Sequence, residues 1–338
     1  MSALILAIES SCDETSAAVL DGLHVKSNII ASQKVHEKYG GVVPELASRA
    51  HQQNIVPVVD QALKEANITL SNIDVIACTG GPGLNGALLV GMSYAKSLSL
   101  ATGKPLVFVD HMKAHILAHY LHRGENKPQI ELPMLCLTVS GGHTQIVLVK
   151  APLEMMVVGK TIDDAAGEAF DKAGKVLGLP YPGGPHIDKL SKIGNPNAFK
   201  FSIPDTKGFD FSFSGLKTSL LYFLKDELNK DAEFIAKNLA DICASYQYTI
   251  VKYLIKKLKE AIIEYRPASI SVAGGVSANS ELRSAIENLS KENNLQCLIP
   301  PFEFTTDNAA MIGAVGYFSY LSNNFSHLSE IPNPKAKI

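Results

Sequence analysis

Apolar residues along this chain gather in short continuous blocks, separated by longer stretches in which they recur every three or four positions; this is the pattern of buried strands alternating with amphipathic helices. Residues 4 to 20, LILAIESSCDETSAAVL, read as strand, small polar turn, strand. Pro44 opens a helix predicted to run to about Ala66, followed by a strand at 73 to 79, a helix at 86 to 101 and a strand at 105 to 109. Residues 214 to 265 read as largely helical with a break near Asn229 to Asp231, and Asp307 opens a last helix expected to fold back on the first lobe.

The same unit occurs twice. Residues 133 to 149, PMLCLTVSGGHTQIVLV, repeat the strand-turn-strand of residues 4 to 20 after a shift of 129 positions, with Leu6 on Leu135, Ser11 on Ser140 and Thr15 on Thr144. A second pair, VIACTGGPGLNGALLVG (75 to 91) and SISVAGGVSANSELRS (269 to 284), runs in each copy from a β-branched strand through Gly-Gly into a helix. Hairpin tips of Ser, Asp, Thr and Gly offer N–H and hydroxyl donors to an anion, and a helix N-terminus behind a Gly-Gly turn does the same. One such turn is weak evidence, but four in repeated order predict two similar lobes facing across a cleft that takes a nucleotide. None is a Walker A loop or a G-x-G-x-x-G fingerprint.

Size supports two lobes, because 338 residues exceed what one growing core accommodates. A formal net charge of −2 argues against coating of nucleic acid by an overall positive field, and leaves only a local basic patch such as Lys252, Lys256, Lys257 and Lys259. The apolar start of the chain reads as a buried strand, no run reaches membrane-spanning length, and five scattered cysteines without a C-x-x-C pair suggest neither disulfides nor a zinc ribbon. A cytoplasmic protein is expected.

Metal chemistry enters through DHMKAHILAHY, where His111 and His115 stand four apart at the end of a strand and project from one helical face. Met112 occupies the place of the glutamate that a zinc peptidase motif requires. His119 continues the same face. Asp307 in FTTDNAAM offers a carboxylate at another strand-to-helix junction, and two imidazoles with a carboxylate suit Fe(II) or Zn(II). The competing reading makes Asp307 only the cap of the helix that follows it.

With these motifs in hand, the chain resembles the tRNA N6-threonylcarbamoyladenosine transferase family, the TsaD/Gcp proteins once labelled O-sialoglycoprotein endopeptidases. The likeness is nearly full length and rests on IESSCDET, GGVVPELASRAHQ, TGGPGLNGAL, HMKAH, VSGGHTQ, TIDDAAGEAFDKAGKVLGLPYPGGP, FSFSGLKT, VAGGVSANSELR and TDNAAMI, in family order. Ala114 and Thr305 depart from Gly and Cys in many relatives. The resemblance implies an α/β fold of two duplicated ribonuclease H-like lobes, of the actin-like ATPase and sugar kinase superfamily, with a central cleft. The lobes are expected at residues 1–115, joined by the helix 307–325, and at 116–306, with 326–338 as a tail.

The resemblance further implies that His111, His115 and Asp307 hold one metal, Fe(2+) or else Zn(2+). Thr138, Val139, Ser140, Gly141, Gly142, Asp171, Gly184, Asp188 and Asn279 would bind threonylcarbamoyl-AMP. The implied reaction moves the threonylcarbamoyl group to N6 of adenosine 37 in tRNAs reading codons that begin with A, releasing AMP. Asp13 and Glu14, at the tip of the first hairpin, are candidates to accept the amine proton, against a reading in which they cap the turn. His143 follows the glycines of the second hairpin and faces either the site or the core. Expected partners are tRNA, a TsaB paralogue and the ATPase TsaE, or a second copy of the chain; an apolar face of the helix 44 to 66 is either a contact for them or simply core. The rival readings are a metallopeptidase, a sugar-kinase-like phosphotransferase and a non-catalytic scaffold.

Overall fold

A computed structural model describes residues 3–203 and 206–338. In the first unit, β1 (Leu4–Glu9) and β2 (Glu14–Asp21) are buried over nearly their whole length, so apolar residues occupy both faces, whereas β3 (His24–Ser32) alternates as an outer strand should. Next come α1 (Pro44–Glu65), with Pro44 in its first turn, β4 (Val75–Gly81), α2 (Asn85–Thr102), β5 (Leu106–Asp110) and the short α3 (His111–Leu117). The sheet order is β3-β2-β1-β4-β5, with β1 antiparallel to β2 and parallel to β4.

The second unit follows the same plan. It contains β6 (Met134–Val139), β7 (Thr144–Ala151), β8 (Glu154–Lys160), α4 (Ala166–Val176), α5 (Gly183–Ser191), α6 (Ser214–Leu228), α7 (Phe234–Tyr265), β9 (Ser269–Ala273), α8 (Ser280–Asn293) and β10 (Gln296–Leu298), in the sheet order β10-β9-β6-β7-β8. Registers match across the repeat: Glu9 faces Ser16 as Thr138 faces Gln145, and Leu6 faces Ile76 as Leu135 faces Ile270. The chain is thus a duplicated ribonuclease H-like α/β fold, one five-stranded sheet in each unit.

The boundaries differ from those expected. The first compact unit comprises residues 1–130, 151–155 and 300–338, and the second comprises 131–150 and 156–299. The chain does not leave the first unit at residue 115, because the segment after α3 stays tied to it: His122 bridges His24, and the Val25 amide donates to the His122 carbonyl at 2.8 Å. Nor is 326–338 a detached tail. The Ser326 amide donates to Leu106 on the edge strand β5, and the Asn333 amide to Gly80 at the end of β4.

The last helix, α9 (Ala309–Leu321), lies on that sheet, so closely that a Cβ on Gly316 would stand 2.6 Å from the Cβ of Ala77. Its first-turn amides are satisfied by side chains, Ala309 by Ser16 Oγ at 2.9 Å, Ala310 by Asn28 Oδ1 at 3.3 Å and Met311 by Asn308 Oδ1 at 3.1 Å. The cap is therefore Asn308, and Asp307 is released for another task. Asn308→Ala is expected to lower stability by about 1 kcal/mol in urea unfolding.

The buried residues of α1, namely Ala47, His51, Ile55, Val58, Val59 and Ala62, place its apolar face in the core rather than on a docking surface, and Val56 alone of its large hydrophobics is exposed. Among the described residues, no helix is long and apolar enough to cross a membrane.

Candidate active site

Strand β5 ends on Asp110, whose carboxylate accepts the Met112 and Lys113 amides at 2.9 and 3.0 Å and so starts α3 directly on the sheet. One turn of helix brings His111 and His115 side by side. Their Nε2 atoms lie 3.1 Å apart, and Asp307 Oδ1 is 3.3 Å from the first and 3.2 Å from the second. His115 is 1% exposed and Asp307 24%, which leaves the carboxylate as the accessible corner.

This triangle fits a cation. Ligand atoms about 2.0 to 2.1 Å from a tetrahedral ion are separated by about 3.3 Å, which is close to the spacing found. Two imidazole lone pairs and a carboxylate packed this tightly repel one another unless something positive lies between them. In the bare protein a proton does part of this work. Burial disfavours charge on His111, but Asp307 and Glu9 on its two sides outweigh it and raise its pKa well above the ordinary histidine value. Burial, together with the charge on His111, lowers His115. The same pairing overcomes burial at Asp307 and depresses it far below a normal carboxylate.

Beneath the triangle lies a residue that sequence reasoning passed over. Glu9, fully buried at the end of β1, accepts from Thr79 Oγ1 at 2.7 Å and His111 Nδ1 at 3.0 Å with one oxygen, and from the Ser11 amide with the other. A signal was available: an acid closing an otherwise apolar strand must find partners.

The hairpin tip that follows is held by His51 of α1, whose Nδ1 meets Thr15 Oγ1 at 2.8 Å and whose Nε2 meets the Cys12 carbonyl at 3.0 Å. Asp13 and Glu14 are half-buried there. Burial first, then the negative charges of Asp307 and Asp13, push the Glu14 carboxyl up to about 9, so at neutral pH it keeps its proton. His119, which continues the histidine face, is buried with Nδ1 against the Ile116 carbonyl and stands outside the triangle.

In the second unit, Thr138 and Val139 are fully buried at the end of β6, and Gly141 and Gly142 emerge exposed at the tip. The tip is closed by the Ser140 amide on the His143 carbonyl at 2.8 Å, and it touches the start of α4 through the Gly167 amide on the Ser140 carbonyl at 3.2 Å. His143 is half-buried beside it. Asp171 Oδ1 accepts the Gly183 amide at 2.8 Å and the Gly184 amide at 3.4 Å, which fixes the start of α5.

Asp188 accepts from the Ser280 amide and hydroxyl at 3.1 and 2.8 Å, and Asn279 caps α8 by accepting the Leu282 amide at 2.9 Å. The Asn279 amide nitrogen donates to Gln247 at 2.6 Å, a buried partner on α7 for which a mid-helix position gave no signal. Asp163 gathers Ser212 Oγ at 2.5 Å, the Phe213 amide at 2.8 Å and Ser214 Oγ at 2.8 Å, and so joins two of the sequence motifs at the start of α6. The expected nucleotide residues thus occupy one unit, and the expected metal residues the other.

Comparison with known proteins shows the family. A family model described as "TsaD: tRNA N6-adenosine threonylcarbamoyltransferase" matches residues 24–314. The chain is 58% identical over 326 residues to the tRNA N6-adenosine threonylcarbamoyltransferase of Christiangramia forsetii, a match covering 96% of this chain and 95% of that protein. It is 55% identical over 338 residues to the protein of the same name from Cytophaga hutchinsonii, covering 100% and 97%. Among solved structures, full-length HypF in its phosphate- and nucleotide-bound form is similar with a TM-score of 0.61 at 13% identity, over 96% of this chain and 47% of that one, a likeness of fold.

Proposed function

The chain belongs to the TsaD family of tRNA N6-adenosine threonylcarbamoyltransferases, and from that premise we propose how its residues divide the work. It is a transferase that modifies tRNA, placing a threonylcarbamoyl group on N6 of adenosine. The donor in this proposal is threonylcarbamoyl-AMP, the acceptor is adenosine 37 of tRNAs reading codons that begin with A, and AMP is the leaving group.

The observation that carries the mechanistic reading is the convergence of His111, His115 and Asp307, which are remote in sequence, on one corner. These three would hold a single divalent ion, Fe(2+) or alternatively Zn(2+), which supplies Lewis acidity toward the donor's carbonyl oxygen when bound. An exocyclic adenine amine is a weak nucleophile, so the protein contributes chiefly by positioning and by donors aimed at developing charge.

Gly141 and Gly142 present backbone N–H groups to the donor phosphate with no side chain in the way. Asp171 and Gly184 shape the adjoining start of α5, and Asp188 and Asn279 shape that of α8. Asp13 and Glu14, half-buried at the first hairpin tip, are the two candidates to accept the amine proton. Met112 is buried beside His111, so no carboxylate follows that histidine as peptidase chemistry requires.

A TsaB paralogue and the TsaE ATPase are the proposed partners, with a homodimer as the alternative, and the cytoplasm is the proposed compartment. Family membership supports these assignments.

Metal-loaded protein, with and without TsaB and TsaE, is to be incubated with threonylcarbamoyl-AMP and unmodified tRNA. The expected result is one AMP released for each modified adenosine. Release of AMP with no modified nucleoside, partners included, would refute the assignment.

A further inference from the structure

The geometry points to Glu9 as the residue that positions the metal centre, acting through His111 rather than touching the ion; this rests on the reading that His111, His115 and Asp307 bind a metal. A carboxylate with no exposed surface survives at the end of β1 only if donors replace the water it has lost. Three do so, from separate parts of the chain: the Ser11 amide in the hairpin tip, the Thr79 hydroxyl at 2.7 Å from β4, and His111 Nδ1 at 3.0 Å from α3. Thr79 is itself fully buried. Its hydroxyl has one proton, which is committed to Glu9, so the carboxylate is clamped from the hairpin tip and from β4 before it reaches the imidazole.

His111 has two nitrogens on opposite edges of its ring. Nδ1 faces Glu9, while Nε2 faces His115 and Asp307 at 3.1 and 3.3 Å. Glu9 therefore stands behind the ring and does not belong to the cluster of ligand atoms. By accepting from Nδ1–H it selects the tautomer whose Nε2 lone pair points at the ion, fixes the ring plane and makes Nε2 a stronger donor.

The second imidazole lacks this support. His115 Nδ1 is buried with no hydrogen-bond partner among the described residues, and its ring stands edge-on to His111 with centroids 4.6 Å apart. Both rings meet Asp307 on their Nε2 edges, but on the Nδ1 edge packing alone backs His115, whereas a fixed negative charge backs His111. The centre's affinity should accordingly be far more sensitive to Glu9 than its depth below the site suggests.

Glu9→Gln keeps the shape but leaves three donors competing for one acceptor oxygen. Titration with Co(II) should find one ion per chain in the parent and about 10- to 100-fold weaker binding in the variant. Imidazole 15N NMR of the Zn(II)-loaded proteins should show His111 wholly in the Nδ1–H tautomer in the parent and mixed in the variant, a signature that mere loosening of the strand would not produce.

If Glu9→Gln does not fold, Thr79 carries the test. Thr79→Val, which frees the carboxylate from one clamp, should weaken Co(II) binding about fivefold, the effect of one hydrogen bond, and Thr79→Ser should restore it. Parent-like affinity and tautomer in Glu9→Gln, or parent-like affinity in Thr79→Val, would overturn the role of Glu9 while leaving the metal centre standing. A parent protein that binds no divalent ion would instead remove the metal reading, and this inference with it.

Discussion

Asp307→Asn is expected to abolish stoichiometric binding of a divalent ion and to lower threonylcarbamoyl transfer by about 10²- to 10³-fold, the scale of losing a principal charge-stabilising group. The substitution preserves size and one oxygen but removes the negative charge that holds His111 and His115 in register at 3.3 and 3.2 Å. Unfolding is not the expected outcome. Asn308, not Asp307, caps α9, and the other first-turn amides are satisfied by Ser16 and Asn28, so the helix start does not depend on the missing charge. Urea unfolding of the metal-free variant should therefore remain cooperative, at a lower midpoint because the charge pair with His111 is lost, while elemental analysis finds no ion and the tRNA assay finds almost no product. Full transfer by a metal-free Asp307→Asn protein would show that the triangle is only a structural ion-pair cluster.

Gly274→Ala should act on the other unit and with comparable force. Gly274 has φ +86° and ψ 167°, an essentially glycine-only conformation that costs an L-residue about 1 to 3 kcal/mol, and its new Cβ would stand 2.5 Å from the carbonyl oxygen of Val139. The obstructing atom is backbone at the end of β6, which cannot swing aside as a side chain can. Relieving the overlap adds about 1 to 3 kcal/mol, for a total loss of about 2 to 6 kcal/mol in denaturant unfolding. The strain is discharged into Val139, directly before Ser140, Gly141 and Gly142, so KM for the adenylate should rise in any protein that still folds. Gly275→Ala provides the control, because its Cβ meets nothing within 4 Å and it has no positive φ. Equal stability and equal KM in the two variants would mean that the glycine pair does not govern the phosphate loop.

Much of the architecture was legible before any coordinates. Strand, helix and turn follow from neighbours along the chain, and the repeat of residues 4 to 20 at 133 to 149 was visible because the same turn chemistry recurs between the same apolar blocks. The expectation made Asp307 a metal ligand at the opening of the last helix, with capping of that helix as the rival role, and the capping role does not fit. The helix begins at Ala309, and the shorter-range capping bond belongs to Asn308. Similarly, the expected boundary at residue 115 misjudged a segment that hydrogen bonds between Val25 and His122 keep with the first unit. A boundary depends on which surfaces the chain finds after it turns, and periodicity carries no information on that.

The sequence by itself determined what is local: the duplicated hairpins, the Gly-Gly turns, and two histidines one helical turn apart on a strand's end. Only the tertiary structure decided what is convergent. Glu9 and Thr79 are brought together because β1 and β4 are parallel neighbours, α3 starts where β5 ends, and α9 returns across the same sheet to deliver Asp307. The four segments are distant in the chain, and what unites them is the order of strands in a sheet. That order arises from burying apolar faces all at once, a collective outcome that no single stretch of residues encodes.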